Sequence, residues 1–108
     1  MVRPTADGVQ IDLSAPPDLA YLAGHFPEAP IVPGVVQINW AIELAARHLQ
    51  LVLEAGTQFQ VKYRRVFLPG RPVTLTLTNK NGALRFDYAD QGDVLSSGSI
   101  RLKHGESR

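Results

Sequence analysis

A chain of 108 residues with 44% hydrophobic and 19% charged side chains predicts one globular domain spanning residues 1–108, too short to include a separate cofactor domain. Eleven basic and ten acidic residues give a net charge of +1, which excludes an electrostatic case for binding nucleic acid or an anionic membrane. Cysteine is absent, which excludes disulfides and thiolate nucleophiles, and the three histidines lack metal-ligand spacing, so we expect no metal. We see no signal peptide and no run of about 20 apolar residues, and we therefore expect a cytoplasmic protein.

The N-terminal third of the chain predicts one strand and one long loop. Residues 1–8 are polar, and we expect them to be loose. Val9, Ile11 and Leu13 alternate with polar residues, which is typical of a half-buried strand. The stretch 14–33 is rich in proline and long for so small a domain, and ordered loops of this length are more often functional than not.

A single long helix is predicted next. Residues 34–54 contain no strong helix breaker and place apolar side chains on nearly every helical face, a pattern that indicates a helix buried on all sides. At 1.5 Å per residue this helix would be about 30 Å long. Gly56 is the expected stop, because glycine accepts the left-handed conformation that ends many helices.

The remainder of the chain predicts antiparallel strands. Period-two alternation recurs over 59–63, 73–77, 84–88 and 94–102, with turns at Leu68-Pro69-Gly70, Asn81-Gly82 and Asp90-Gln91-Gly92-Asp93. A slip of phase at Arg64-Arg65 predicts a bulge. The fold class is therefore α+β: one long central helix wrapped by a curved antiparallel sheet of about five strands. The sheet edge and the opposite face would need cover, which favours a dimer.

One segment predicts chemistry from its residues alone. His25 lies in the proline-rich loop that leads directly into the helix N-terminus at Gly34. Free backbone N–H groups and the helix dipole at such an end favour a negative oxygen. A base facing an oxyanion site is the arrangement that removes a proton alpha to a carbonyl.

The same residues resemble a known family. The run GHFP at 24–27, then Pro30, then PGV at 33–35, and the later run YRRVFLPG at 63–70, resemble the motifs of the hot-dog-fold 3-hydroxyacyl-ACP dehydratases. The likeness is greatest to the small thioester-dehydrase branch of the aryl-polyene type, and it covers essentially the whole chain in the correct order. It implies a hot-dog fold and dehydration of a 3-hydroxyacyl thioester to a trans-2-enoyl thioester.

The resemblance also implies roles for individual residues. His25 matches the family's catalytic histidine, and Gly34 matches the position whose backbone N–H binds the thioester carbonyl. Fourteen positions after the histidine the family has an aspartate or glutamate, supplied by the partner subunit, whereas this chain has Asn39. The other positions assigned to substrate binding are Phe26, Pro33, Val35 and Trp40.

The missing acid leaves alternatives open. Glu43 lies one helical turn beyond Asn39 on the same face, so the acid can have moved there, with Asn39 orienting the hydroxyl or a water by hydrogen bonds. Alternatively the acid is lost and the site binds with little turnover, because an amide cannot supply a proton. A purely structural role for Glu43 is an ion pair with Arg47 at i+4.

The implied substrate is an acyl thioester on the phosphopantetheine of acyl carrier protein or CoA. The thioester itself acidifies the alpha carbon, so the reaction needs no dissociable cofactor. Lys62, Arg64 and Arg65 are either the solvated face of a strand or a docking site for acidic acyl carrier protein. Two other functions remain open, namely a non-catalytic acyl-thioester-binding subunit of a heteromeric dehydratase and an acyl thioesterase. We expect a homodimer or higher homo-oligomer, with each active site shared across the interface.

Overall fold

Six antiparallel strands and one helix make up the part of the chain that the computed structural model describes, residues 2–14, 32, 34–50, 59–80 and 82–101. In chain order the elements are β1 (Val2–Pro4), β2 (Gly8–Leu13), α1 (Gly34–Leu49), β3 (Phe59–Tyr63), β4 (Val73–Lys80), β5 (Ala83–Asp90) and β6 (Asp93–Arg101). The strands lie in the order β1-β2-β4-β5-β6-β3. The predicted α+β class is confirmed, with one strand more than expected.

The additional strand is β1, which lies in the segment predicted to be loose. A tight connection brings it back against β2, because the Thr5 N–H donates a hydrogen bond to the Gly8 carbonyl over 2.9 Å. Arg3 then forms an ion pair of 2.6 Å with Asp12 on the neighbouring strand. The prediction was wrong because polar composition alone does not indicate that a partner strand lies a few residues away.

The two faces of the sheet differ completely in polarity. The face toward α1 carries the buried side chains of four central strands: Val9, Ile11, Val73, Leu75, Leu77, Leu84, Phe86, Tyr88 and Ile100. The intervening positions, such as Thr74, Thr76 and Asp87, face outward. The predicted alternation is therefore confirmed, since a strand with one buried face repeats every two residues.

Helix α1 is shorter than predicted and buried on one side only. It ends at Leu49, where Gln50 adopts a left-handed backbone with φ of 60°; Gly56, the predicted stop, lies outside the described residues. Its fully buried residues are Val36, Gln37, Ala41 and Ala45. The prediction of a helix buried on every side is wrong for a single chain, because one sheet can cover only one face of the helix.

Three turns follow the sequence predictions. Lys80 pairs with Ala83, leaving a two-residue loop in which Gly82 has φ of 74°. Asp90 and Asp93 enclose a second two-residue loop with positive φ at both central positions. Such loops match the twist of the flanking strands and join them as tight hairpins. At the third turn, Gly70 has φ of 85°, which a residue with a side chain rarely adopts.

The predicted irregularity after β3 is also present. The backbone N–H groups of Arg64 and Arg65 both donate to the carbonyl of Leu95, over 2.8 and 3.0 Å. Two residues opposite one is the pattern of a β-bulge. The chain then turns away from β6 toward the N-terminus of α1. In the part of the chain that the structure describes, no helix has the length and hydropathy needed to cross a membrane.

Candidate active site

A cavity of about 370 Å³ opens at the N-terminus of α1, beside the end of β3. Its lining residues come from two stretches of the sequence and are Val32, Gly34, Gln37, Tyr63, Arg64, Arg65, Val66 and Phe67. The first turn of α1 contains no acidic side chain. The positive end of the helix dipole is therefore not neutralised from within that turn and favours a negative oxygen in the cavity.

Gly34 leaves room for the close approach of the Tyr63 side chain. A Cβ added to Gly34 would come within 2.5 Å of Cζ of the Tyr63 ring. Tyr63 is about half exposed and lies on the helix side of β3, and partial burial raises the pKa of its phenol. The absence of a side chain at Gly34 thus lets an aromatic wall stand directly beside the first helical residue.

A buried polar network holds the same helix end against the sheet. Gln37 is 4% exposed, and its side-chain nitrogen donates a 3.0 Å hydrogen bond to the Val32 carbonyl. The hydroxyl of Ser96 on β6 donates to the Gln37 side-chain oxygen over 2.7 Å. The hydroxyl of Tyr88 on β5 donates to the Gln37 backbone carbonyl over 2.6 Å. Burial raises the pKa of Tyr88, so this hydroxyl stays protonated and remains a donor.

Asn39 and Glu43 lie together on the exposed face of α1, as their spacing predicts. Neither residue lines the cavity at Gly34. The ion pairs between described residues join Arg3 to Asp12, Arg71 to Asp90 and Lys80 to Asp7, and none joins Glu43 to Arg47. The alternative role of Glu43 in an i+4 ion pair is therefore not supported within the described part of the chain.

The structure separates the other predicted site residues. Trp40 is half-buried and packs edge-to-face on Phe67, which lines the cavity, with ring centroids 6.1 Å apart. Val35 is 63% exposed and does not line the cavity. His25, Phe26 and Pro33 lie outside the described residues, so their predicted roles stay predictions.

The three predicted docking residues are only partly separated, because Arg64 and Arg65 also border Asp87 and Ser97, which lie beside Lys62 on the outer side of the sheet. Arg64 and Arg65 are exposed at the cavity, just after the end of β3. Lys62 pairs with Ser97 and faces the outer side of the sheet, opposite to Tyr63. Only the two arginines therefore share a surface with Gly34.

Sequence reasoning did not single out Gln37, Tyr63, Tyr88 or Ser96. A glutamine in an otherwise apolar first turn was the available indication for Gln37, since a buried amide needs hydrogen-bond partners. Its partner Ser96 is 59 residues away in sequence, so no local pattern could pair them.

A single helix packed on a six-strand antiparallel sheet, with a cavity at the helix N-terminus, defines a protein of the hot-dog fold. Within that class, residues 2–99 match the ApeI-like family, described as ApeI dehydratase. The chain belongs to the ApeI-like dehydratase family.

Solved structures agree with this assignment. The dehydratase heterocomplex ApeI:P from Xenorhabdus doucetiae matches at 32% identity and a TM-score of 0.72, over 94% of this chain and 91% of that chain. An uncharacterized protein from Erwinia carotovora subsp. atroseptica matches at 32% identity and a TM-score of 0.67, over 94% and 89% of the two chains. A mutant of the fluoroacetyl-CoA-specific thioesterase FlK matches at 23% identity and a TM-score of 0.51, over 90% and 85%, and shows the fold alone. A comparison with curated proteins finds no match.

Proposed function

We propose that this chain dehydrates a 3-hydroxyacyl thioester, carried on the phosphopantetheine of acyl carrier protein or CoA, to the trans-2-enoyl thioester. The observation that carries the proposal is the N-terminus of α1, which has no acidic side chain in its first turn and meets a cavity at Gly34. Backbone N–H groups there stabilise the oxygen of a thioester enolate as its charge develops. The thioester itself acidifies the alpha carbon, so the reaction needs no dissociable cofactor.

The proposed reaction uses two proton transfers. His25 accepts the proton from the alpha carbon, and the Gly34 N–H holds the enolate oxygen that results. The electrons then return to form the carbon–carbon double bond, the C3–oxygen bond breaks, and the departing hydroxide takes a proton and leaves as water. Glu43 supplies that proton while Asn39 donates a hydrogen bond to the hydroxyl.

Glu43 would reach the reaction from a second subunit, because it lies on a face of α1 that does not line the cavity of its own chain. Support for a homodimer comes from exposed apolar side chains on α1 and β3: Val35 at 63%, Phe59 at 53% and Tyr63 at 52%. Strand β3 is also the last strand of the described sheet and pairs only with β6 there. Sedimentation at micromolar concentration should give a dimer, and a stable folded monomer would contradict the shared site.

The direct test is mass spectrometry of 3-hydroxyacyl-ACP after incubation with the protein, which should show loss of water. His25→Ala should abolish the reaction. If Glu43 is the acid, Glu43→Gln should lower the rate by about 10²–10⁴-fold, while Asn39→Asp changes it modestly.

The opposite pattern identifies a lost acid: a nearly inert wild type in which Asn39→Asp raises activity by a large factor. Substantial dehydration by a Glu43→Gln, Asn39→Ala double variant would contradict any role for the carboxylate. A free 3-hydroxy acid as product would indicate a thioesterase instead.

Arg64 and Arg65 are proposed to dock the carrier, because two exposed cations beside the cavity suit an acidic protein or the phosphate of phosphopantetheine. The double variant Arg64→Ala, Arg65→Ala should raise the KM for 3-hydroxyacyl-ACP and leave the KM for a 3-hydroxyacyl pantetheine unchanged. Lys62→Ala tests whether the carrier extends to the outer side of β3. An equal rise in KM for both substrates would assign the arginines to the acyl-pantetheine itself.

A second candidate function is that of a subunit in a heteromeric dehydratase. Asn39 at the position of the family's acid favours it, and so does the 32% identity to a chain of a dehydratase heterocomplex. This chain would then be inert alone and would gain activity when mixed with a hot-dog dehydratase subunit that contains the acid. Full activity of the purified chain would exclude this candidate.

A further inference from the structure

Gln37 occupies a buried position at which an apolar side chain would cost less free energy to bury than an amide does. It is 4% exposed on the core face of α1, among residues such as Val36 and Ala41. Burial of an amide is unfavourable unless each polar atom finds a partner. Both ends of this amide do: the nitrogen donates to Val32 and the oxygen accepts from Ser96. Ser96 is itself 1% exposed, so the network is shielded from water.

The network immobilises the segment that enters the helix. Val32 lies two residues before Gly34, and both of its backbone polar groups are engaged. Its N–H donates to the Phe67 carbonyl over 2.7 Å, and its carbonyl accepts from Gln37 over 3.0 Å. Tyr88 adds a third attachment through the Gln37 backbone carbonyl. The chain is thereby bonded to the connection between β3 and β4 before Gly34 and to strands β5 and β6 after it.

We propose that Gln37 is a positioning residue for the Gly34 N–H, acting through Val32 on one side and through Ser96 on the other. The inference rests on the dehydratase function proposed above. Donors to an oxyanion contribute most when they are held in place before charge develops. A displacement of about 1 Å in a reacting group can cost about a hundredfold in rate.

The chemistry of the amide makes the role specific. Glutamate in its place can still accept from Ser96 but has no donor for the Val32 carbonyl, and it would set a carboxylate oxygen against that carbonyl. Methionine has nearly the same shape and neither hydrogen bond. Ser96→Ala removes one donor while leaving Gln37 in place. Ser97→Ala is the matched control, because Ser97 is adjacent on β6 but faces the outer side of the sheet.

The test measures kcat and KM for a 3-hydroxyacyl pantetheine, together with backbone amide hydrogen exchange by NMR. Gln37→Glu, Gln37→Met and Ser96→Ala should each lower kcat by about tenfold to a hundredfold with KM nearly unchanged. The reason is that the Gly34 N–H contributes most when it binds the negative oxygen in the transition state. The Val32 amide, which donates to the Phe67 carbonyl at the entry to the helix, should exchange faster in these variants. Ser97→Ala should change neither quantity.

Wild-type kcat in Ser96→Ala and Gln37→Met, or unchanged exchange at Val32, would overturn the positioning role. So would an equal acceleration of exchange throughout the sheet, which would show a general loss of stability. If the wild type does not dehydrate the substrate, the proposed function fails instead. Exchange at Val32 then decides whether Gln37 holds the helix end.

Discussion

The two faces of helix α1 differ in how much of their surface is buried by the same chain. On the sheet side, Ala41 and Ala45 are fully buried, and Gln37 has every side-chain polar atom bonded. On the other side, Val35, Asn39 and Glu43 are exposed. The chain's own sheet covers the first face. The second carries Glu43, the proposed acid, and it is the face that the proposed dimer would cover with a second subunit.

The largest expected effect comes from changing small residues on the two faces in the same way. Ala45→Leu adds a large side chain to a position with no exposed surface and should lower the free energy of unfolding by about 1–3 kcal/mol. Its exposed neighbour allows the matched change, Ala46→Leu, which should alter the free energy by less than about 0.5 kcal/mol. Denaturant titrations at several protein concentrations measure both.

The control outcome is informative in its own right. A change in Ala46→Leu that varies with protein concentration would place this residue in a subunit contact. If Ala46→Leu lowered the free energy of unfolding as much as Ala45→Leu, independently of protein concentration, Ala46 would not lie on an exposed face of the helix.

A charge on the open face should act on association and spare the fold. Val35→Lys replaces a 63% exposed apolar side chain, and we expect it to weaken the proposed dimer by about tenfold or more, which corresponds to about 1.4 kcal/mol. Sedimentation across a concentration series measures the shift, and circular dichroism confirms the fold. Unchanged association would remove Val35 from the interface.

A smaller effect is expected on the outer face of the sheet. Asp87 is half-buried there, and burial raises the pKa of its carboxyl above the ordinary value of 3.8. The folded state therefore disfavours the charged form of Asp87. Once the pH is above the pKa of this carboxyl in both the folded and the unfolded state, the charged group destabilises the fold. Asp87→Asn should raise the free energy of unfolding near pH 7, by less than about 1 kcal/mol because the group is screened by solvent.

This gain should disappear as the pH falls below 3.8, where Asp87 is protonated in both the folded and the unfolded state. Thermal unfolding of wild type and variant across that range gives the comparison. Asp93→Asn, an exposed change in the next turn, serves as the control and should be neutral. A destabilised Asp87→Asn at neutral pH would show that the carboxylate has a stabilising contact.

The smallest effect belongs to the exposed pair between β1 and β2. The hydrogen bond from Arg3 lowers the pKa of Asp12 to about 2. The pair therefore stabilises the fold above pH 3.8, and this contribution is lost as the pH falls toward 2. Asp12→Asn should lower the unfolding temperature slightly near pH 7, and the difference should shrink as the pH falls from 3.8 toward 2. A difference of the same size at both ends of that range would contradict the ion pair.

The sequence by itself determined the features whose causes are local. Alternation at Val9 to Leu13 and at Val73 to Leu77 predicted strands because each side chain's face depends only on its neighbours' spacing. The positive φ at Gly70 and Gly82 was predictable because glycine alone adopts it without steric cost. The run of helix formers from Gly34, and the placement of Asn39 and Glu43 on one face, follow from 3.6 residues per turn.

Only the tertiary structure decided which helical face is covered and what the helix end contacts. Residues 34–49 are apolar nearly all round, so no pattern within them distinguishes Val36, which is buried, from Val35, which is not. That choice depends on the single sheet against which α1 packs. The bonds from Gln37 to Ser96 and Tyr88 likewise join residues 59 and 51 positions apart. Periodicity carries no information over such distances, because these contacts exist only once distant strands have paired and brought their side chains to the helix.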